Sequence, residues 1–162
     1  MNKNYYSESS RSETDELIRR LKDKAYRLLA RREYSAFELR QKFENLAPAS
    51  ICTQILEDLI QQGMQSDARF AEMLCRSRFN GGKGPVMLRH ELNEHKIDPD
   101  LIERALAVYQ DQWTESAARV RIRKFGEKPP ANLEEWAKQD RFLQQRGFFS
   151  AQIDQFENAI VD

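Results

Sequence analysis

"SRFNGGKGPVMLRHELNEHKI" (residues 77–97) decides the fold, because it reads either as a catalytic centre or as a junction between two helices. The run Gly81-Gly82-Lys83-Gly84 hints at a phosphate-cradling loop. A P-loop needs a glycine five residues before the Gly-Lys pair and a hydroxyl residue directly after the lysine. Ser77 and Gly84 hold those two places, and no strand-like apolar run leads in. His90 and His95 hint at a zinc site on a helix. They are five residues apart, about 140° around a helix axis, and cannot face one metal. They are also the chain's two histidines, so the expectation is no metal and no cofactor. What remains is a helix, a glycine turn and a second helix opened by Pro85 at its first position.

The second helix repeats an earlier one. "MLRHEL" (87–92) superimposes on "ELRQKF" (38–43) with an offset of 49, and Phe142-Leu143 follows 50 to 51 residues later. Around these anchors the same three-helix phrase recurs. Leu17, Ile18, Leu21, Ala25, Leu28 and Leu29 share one helical stripe. Ser35-Ala36-Phe37-Glu38 is a capping box, and Ile51, Ile55, Leu56, Leu59 and Ile60 form a third stripe stopped by Gly63. In the second round Ser66-Asp67, Pro85 and Asp98-Pro99-Asp100 are helix starts. In the third, Asn132 opens a helix ended by Gly147, and Ser150 caps a last one with Ile153, Phe156 and Ile160 inward.

One segment is ambiguous. "RVRIRKF" (119–125) alternates like a strand, yet Ala118, Ile122 and Phe125 also fit a helix face. A lone strand would have no partner, so the segment is read as helix. The fold class is therefore all-α: three tandem three-helix repeats, 15–63, 64–111 and 112–162, in an elongated curved array behind a disordered tail, 1–14.

Composition narrows function further. Six Gly and five Pro in 162 residues argue against a turn-rich β fold, and no apolar run approaches a membrane span. The polar start lacks the apolar core of a signal peptide. Cys52 and Cys75 stand apart without a CxxC pair, which suits buried thiols of a cytoplasmic protein. Net charge is zero, but the sum hides an alternation. Residues 17–42 carry nine basic and three acidic side chains; residues 44–72 carry one and five. The sign flips again for 76–96, 98–115, 119–128 and 134–162, so in each round the first helix or two are basic and the third is acidic. Stacking such repeats predicts a basic stripe backed by an acidic one.

The candidate binding residues on that stripe are Arg27, Arg31, Arg32, Arg40 and Lys42, then Arg76, Arg78, Lys83 and Arg89, then Arg119, Arg121, Arg123 and Lys124. Trp113, Trp136, Phe148 and Phe149 are read as packing residues. Carboxylate pairs such as Glu134-Glu135 point different ways on a helix with no nucleophile nearby, so an enzyme is not expected.

Several ordered stretches are similar to a known family. "AYRLLARREYSAFELRQKF" (25–43), "DARFAE" (67–72), "GKGPVMLRHEL" (82–92) with Ile97, "RKFG" (123–126) and "RFLQQRGF" (141–148) resemble the bacterial RecX regulatory proteins, modulators of the recombinase RecA. Two places depart. Met64-Gln65-Ser66 stands where the family commonly has Tyr-Leu-Asp, at a cost in apolar contact. His95-Lys96-Ile97 stands where it commonly has Lys-Gly-Ile, a charged residue in place of a flexible one. The resemblance implies three tandem three-helix units and a monomer that lodges in the groove of the RecA–DNA filament. There it would block filament growth and damp strand exchange, ATP hydrolysis and cleavage of the SOS repressor. Single- and double-stranded DNA are further expected partners. The alternative is a direct single-stranded-DNA-binding module that acts without RecA.

Overall fold

The computed structural model describes the backbone of residues 4–149 and the side chains of residues 11–149. The expected last helix from Ser150, with Ile153, Phe156 and Ile160, lies outside the described residues. Among the described residues eight α-helices follow one another: α1 (Asn4–Leu29), α2 (Ala36–Phe43), α3 (Ala49–Gln61), α4 (Asp67–Asn80), α5 (Pro85–Glu94), α6 (Pro99–Ala107), α7 (Trp113–Phe125) and α8 (Leu133–Gln145). A single 3-10 turn, Gln110–Gln112, leads into α7. Among the described residues there is no strand, and 119–125 is helical throughout. Residues 4–14, expected in a tail, form the first turns of α1. Arg11, Ser12 and Glu13 are exposed there, so no apolar stripe marks those turns as helix.

The chain divides into two compact units, 1–70 and 71–162, with the division inside α4. In the first unit α1 and α2 both pack on α3. Leu21, Ala25, Leu39, Phe43, Cys52, Ile55 and Leu59 make the core, and Tyr34 closes it. The local starts and stops are those the sequence signals demand. The Ser35 hydroxyl accepts from the Glu38 backbone N–H at 3.1 Å, and the Glu38 carboxylate accepts from the Ser35 N–H at 3.1 Å. Asp67 adds a second cap to α2 by accepting from the Ala36 N–H at 2.9 Å. Gly63, with φ +69°, turns the chain after α3, where the Met64 and Gln65 N–H groups both donate to the Leu59 carbonyl.

In the second unit α5 packs on α6 and α7 on α8. Phe79 stacks on Tyr109 at 4.4 Å and meets Trp113 edge-on at 5.3 Å, which seats the start of α7. Trp113, Ala117, Val120 and Arg121 form the buried face of α7. Ile122, expected inward, is 41% exposed. Two stripes compete on this helix, rotated by about 100°. The one carrying Trp113 takes the core, since the larger ring removes more apolar area from water. Phe149, expected to pack, is exposed, whereas Phe148 is buried.

The glycine run is explained by backbone contact. The Gly84 N–H donates to the Arg146 carbonyl at 2.7 Å, and the Val86 N–H to the Gly147 carbonyl at 3.0 Å. A Cβ on Gly84 would sit 2.3 Å from the Gly147 carbonyl atoms, so only glycine permits the approach. The Gly84 and Val86 N–H groups, which a phosphate loop would offer to a ligand, are engaged by the carbonyls that follow α8.

Candidate functional site

The thirteen candidate cations differ sharply in what they already hold. Arg32 forks onto Glu38 at 3.0 and 3.1 Å and lies 3.6 Å from the centre of the Tyr34 ring. The Glu38 hydrogen bonds, above all, hold the Arg32 pKa above its ordinary value. Arg78 joins α4 to α5 by donating from Nε to the Glu91 carboxylate at 2.8 and 3.0 Å, with a further short contact from Nη2. Those bonds push the Glu91 carboxyl below the usual range against the opposing effect of burial. Arg89 ties α5 to α6 through Glu103 at 2.8 and 3.1 Å, which lowers the Glu103 carboxyl in the same way. A guanidinium already in such a fork has little left for a second anion.

Arg121 is a correction. It is 5% exposed and donates to the carbonyls of Glu127 and Lys128 at 3.2 and 3.1 Å and to Gln139 Oε1 at 3.3 Å. It organises the turn after α7. Its place on the Trp113 stripe puts it inside. The long apolar stem and the planar fork let a charged residue satisfy buried carbonyls there.

Arg31, Lys42, Arg76, Arg123 and Lys124 are exposed and have no carboxylate within ion-pair distance among the described residues. Lys83, half-buried in the glycine turn, has no ion pair either. Among the described residues Arg27 donates to the Asp23 carbonyl at 3.2 Å and Arg40 to the Thr53 hydroxyl at 3.3 Å, and neither has an ion pair. Arg119 reaches Glu115 loosely at 4.0 Å.

In the second unit, three of the uncompensated charges converge on one cleft. Arg123, Lys124 and Arg146 surround a cleft of about 110 Å³ with Gly81 and Phe142. Lys124 Nζ and the Arg146 guanidinium lie 5.9 and 5.3 Å from the Phe142 ring centre. A neighbouring cleft of about 130 Å³ is shared by Arg119 and Arg123. Converging cations without an acidic partner suit carboxylates or phosphates. Arg146 was not among the sequence candidates. A basic residue at a helix C-terminus is favoured by the helix dipole alone, so its position carried no separate signal. Among the described residues no three His, Cys, Asp or Glu side chains come together to hold a metal. No described helix is long and apolar enough to cross a membrane.

Comparison with known proteins settles the family. Residues 66–106 match the RecX second three-helix domain, and residues 110–156 match the RecX third three-helix domain. A regulatory protein RecX of Halorhodospira halophila is 37% identical over 134 residues, spanning 82% of this chain and 83% of that one. Another, of Legionella pneumophila strain Corby, is 42% identical over 127 residues, spanning 78% and 85%. The chain belongs to the RecX family. A crystal structure of RecX from Lactobacillus salivarius shares the fold at 21% identity, with a TM-score of 0.78 over 90% of this chain and 97% of that one.

The two departures from the RecX pattern now have physical readings. Gln65 is not a lost apolar contact. It is buried, and its Nε2 donates to the Tyr34 carbonyl at 3.1 Å and to Asp67 Oδ1 at 2.9 Å. Lys96 stands at φ +57°, the left-handed position after α5 that glycine fills at no steric cost.

Proposed function

We propose that this protein binds the RecA–DNA filament and restrains its growth, lowering RecA's ATP hydrolysis, strand exchange and coprotease activity and so modulating recombination and the SOS response. Membership of the RecX family carries the reading. The uncompensated cations around Phe142 support it, since they suit either an acidic protein surface or DNA phosphates lining a filament groove. A chain of zero net charge is a poor bulk competitor for phosphate, which favours action on the filament over sequestration of DNA.

The test is RecA's ATPase on single-stranded DNA with increasing amounts of this protein. Inhibition is expected at substoichiometric amounts relative to RecA, because arresting growth at a filament end affects every subunit that would have followed. Inhibition that disappears whenever DNA exceeds both proteins would favour the alternative, a direct single-stranded-DNA binder acting without RecA.

A further inference from the structure

We infer that the first unit carries a second interaction surface, a groove along α1 that accepts an acidic amphipathic helix of a partner protein. The inference goes beyond the filament reading and does not depend on it. The groove encloses about 670 Å³. Its lining on α1 runs from Leu17 to Leu28, one face of the helix, about 17 Å long at 1.5 Å per residue, and Arg31 continues it in the turn that follows. Volume over length gives a trough about 6 Å across, against a helix diameter of about 10 Å. That trough takes a row of side chains from a helix lying on top rather than the helix itself.

The floor is aliphatic. Leu17 and Leu28 form it from α1, and Leu46, in the turn between α2 and α3, faces them while 46% exposed. The rim is cationic. Arg20, Lys24, Arg27 and Arg31 line it against one acid, Asp23. Among the described residues Arg20, Lys24 and Arg31 have no carboxylate within ion-pair distance. An aliphatic trough between unpaired cations complements a helix with apolar residues at three- and four-residue spacing flanked by carboxylates. Single-stranded nucleic acid fits less well, since its bases stack on aromatic platforms and none lines this groove among the described residues.

The probe is a fluorescein-labelled peptide of about 12 residues, matching the groove length, built of glutamate and alanine with leucine at alternating three- and four-residue spacing. Binding to the full chain is read by anisotropy. The expected result is saturable binding that weakens about tenfold or more when serine replaces the leucines, or lysine the glutamates. The double variant Lys24→Glu, Arg31→Glu and, separately, Leu46→Gln are each expected to lose about tenfold with unchanged melting curves. The Lys24 and Arg31 side chains are exposed, so that variant carries the test even if Leu46→Gln destabilises the turn. Equal binding of the serine peptide would reduce the groove to a patch of charge and overturn the proposal. So would full displacement by oligothymidylate, or sedimentation showing that the chain self-associates through Leu46. RecA enters none of these readouts, so failure of the filament reading leaves the peptide result standing.

Discussion

At the residue scale, two positions separate charge from position. Arg121 and Arg123 are two residues apart on α7, yet one is buried among carbonyls and the other is exposed. Arg121→Glu places a carboxylate against the Glu127 and Lys128 carbonyls and should destabilise the protein by about 3–5 kcal/mol, as breaking a buried charged network does. Arg123→Glu should leave the urea midpoint within about 0.5 kcal/mol of wild type, as surface changes do. Equal midpoints for the two would remove Arg121 from its structural role. Lys96 offers the opposite sign. Its left-handed backbone costs about 1 kcal/mol for a residue with a Cβ. Lys96→Gly is therefore expected to raise stability by up to about 0.5 kcal/mol, after glycine's extra unfolded-state entropy is allowed for. A lower melting temperature in Lys96→Gly would mean that the lysine side chain contributes more than its backbone strain. Neither effect is visible in a sequence read alone, because burial of one arginine among three on α7 and the sign of one φ are set by tertiary contacts.

At the element scale, helix boundaries after α1 were legible and helix faces were less so. Ser35, Ser66, Asp98 and Asn132 all cap where they stand, since capping is a local hydrogen bond between residues two or three apart. Which face of α7 turns inward depends on Phe79 and Tyr109, more than thirty residues away for Phe79, and the stripe of Ile122 lost to that of Trp113. Links between helices were equally hidden, and the Arg78–Glu91 tie has a pH signature. Arg78 holds the Glu91 carboxyl below its ordinary value, so the folded state binds that proton less readily than the unfolded chain. Its contribution is present above the unfolded pKa of about 4.3 and is lost as pH falls through the lower folded value. The pair is partly exposed, which limits the contribution to about 1 kcal/mol. Urea midpoints of wild type and Glu91→Gln should differ by a constant amount near neutrality and converge as pH drops below about 4. A gap that stays constant to pH 3 would show that the ion pair adds nothing beyond packing.

At the scale of the whole molecule, the alternation of charge along the chain pointed to basic surfaces, but it could not tell a cation in an ion pair from one without a partner. Arg32, Arg78 and Arg89 are spent on Glu38, Glu91 and Glu103, while Arg123 and Lys124 join Arg146 around Phe142. The decisive comparison therefore leaves Arg121 intact. Reversing Arg123, Lys124 and Arg146 to Glu replaces the cleft's three cations with three anions. At about 1 kcal/mol per lost contact, filament binding should fall about a hundredfold. Wild-type binding should itself weaken steeply with salt, since exposed charges are screened over about 8–10 Å. Reversing Asp100 and Asp111 to Lys should change binding far less, because both are exposed and lie outside the cleft. Glu103 is left out of that control, since its loss would release Arg89 and confound the charge count. Helical circular dichroism should be unchanged in both variants, as none of the five residues lies in the core. If the acidic variant lost filament binding while the cleft variant kept it, the binding surface would lie on the opposite charge, and the cations around Phe142 would be no more than a solvated face.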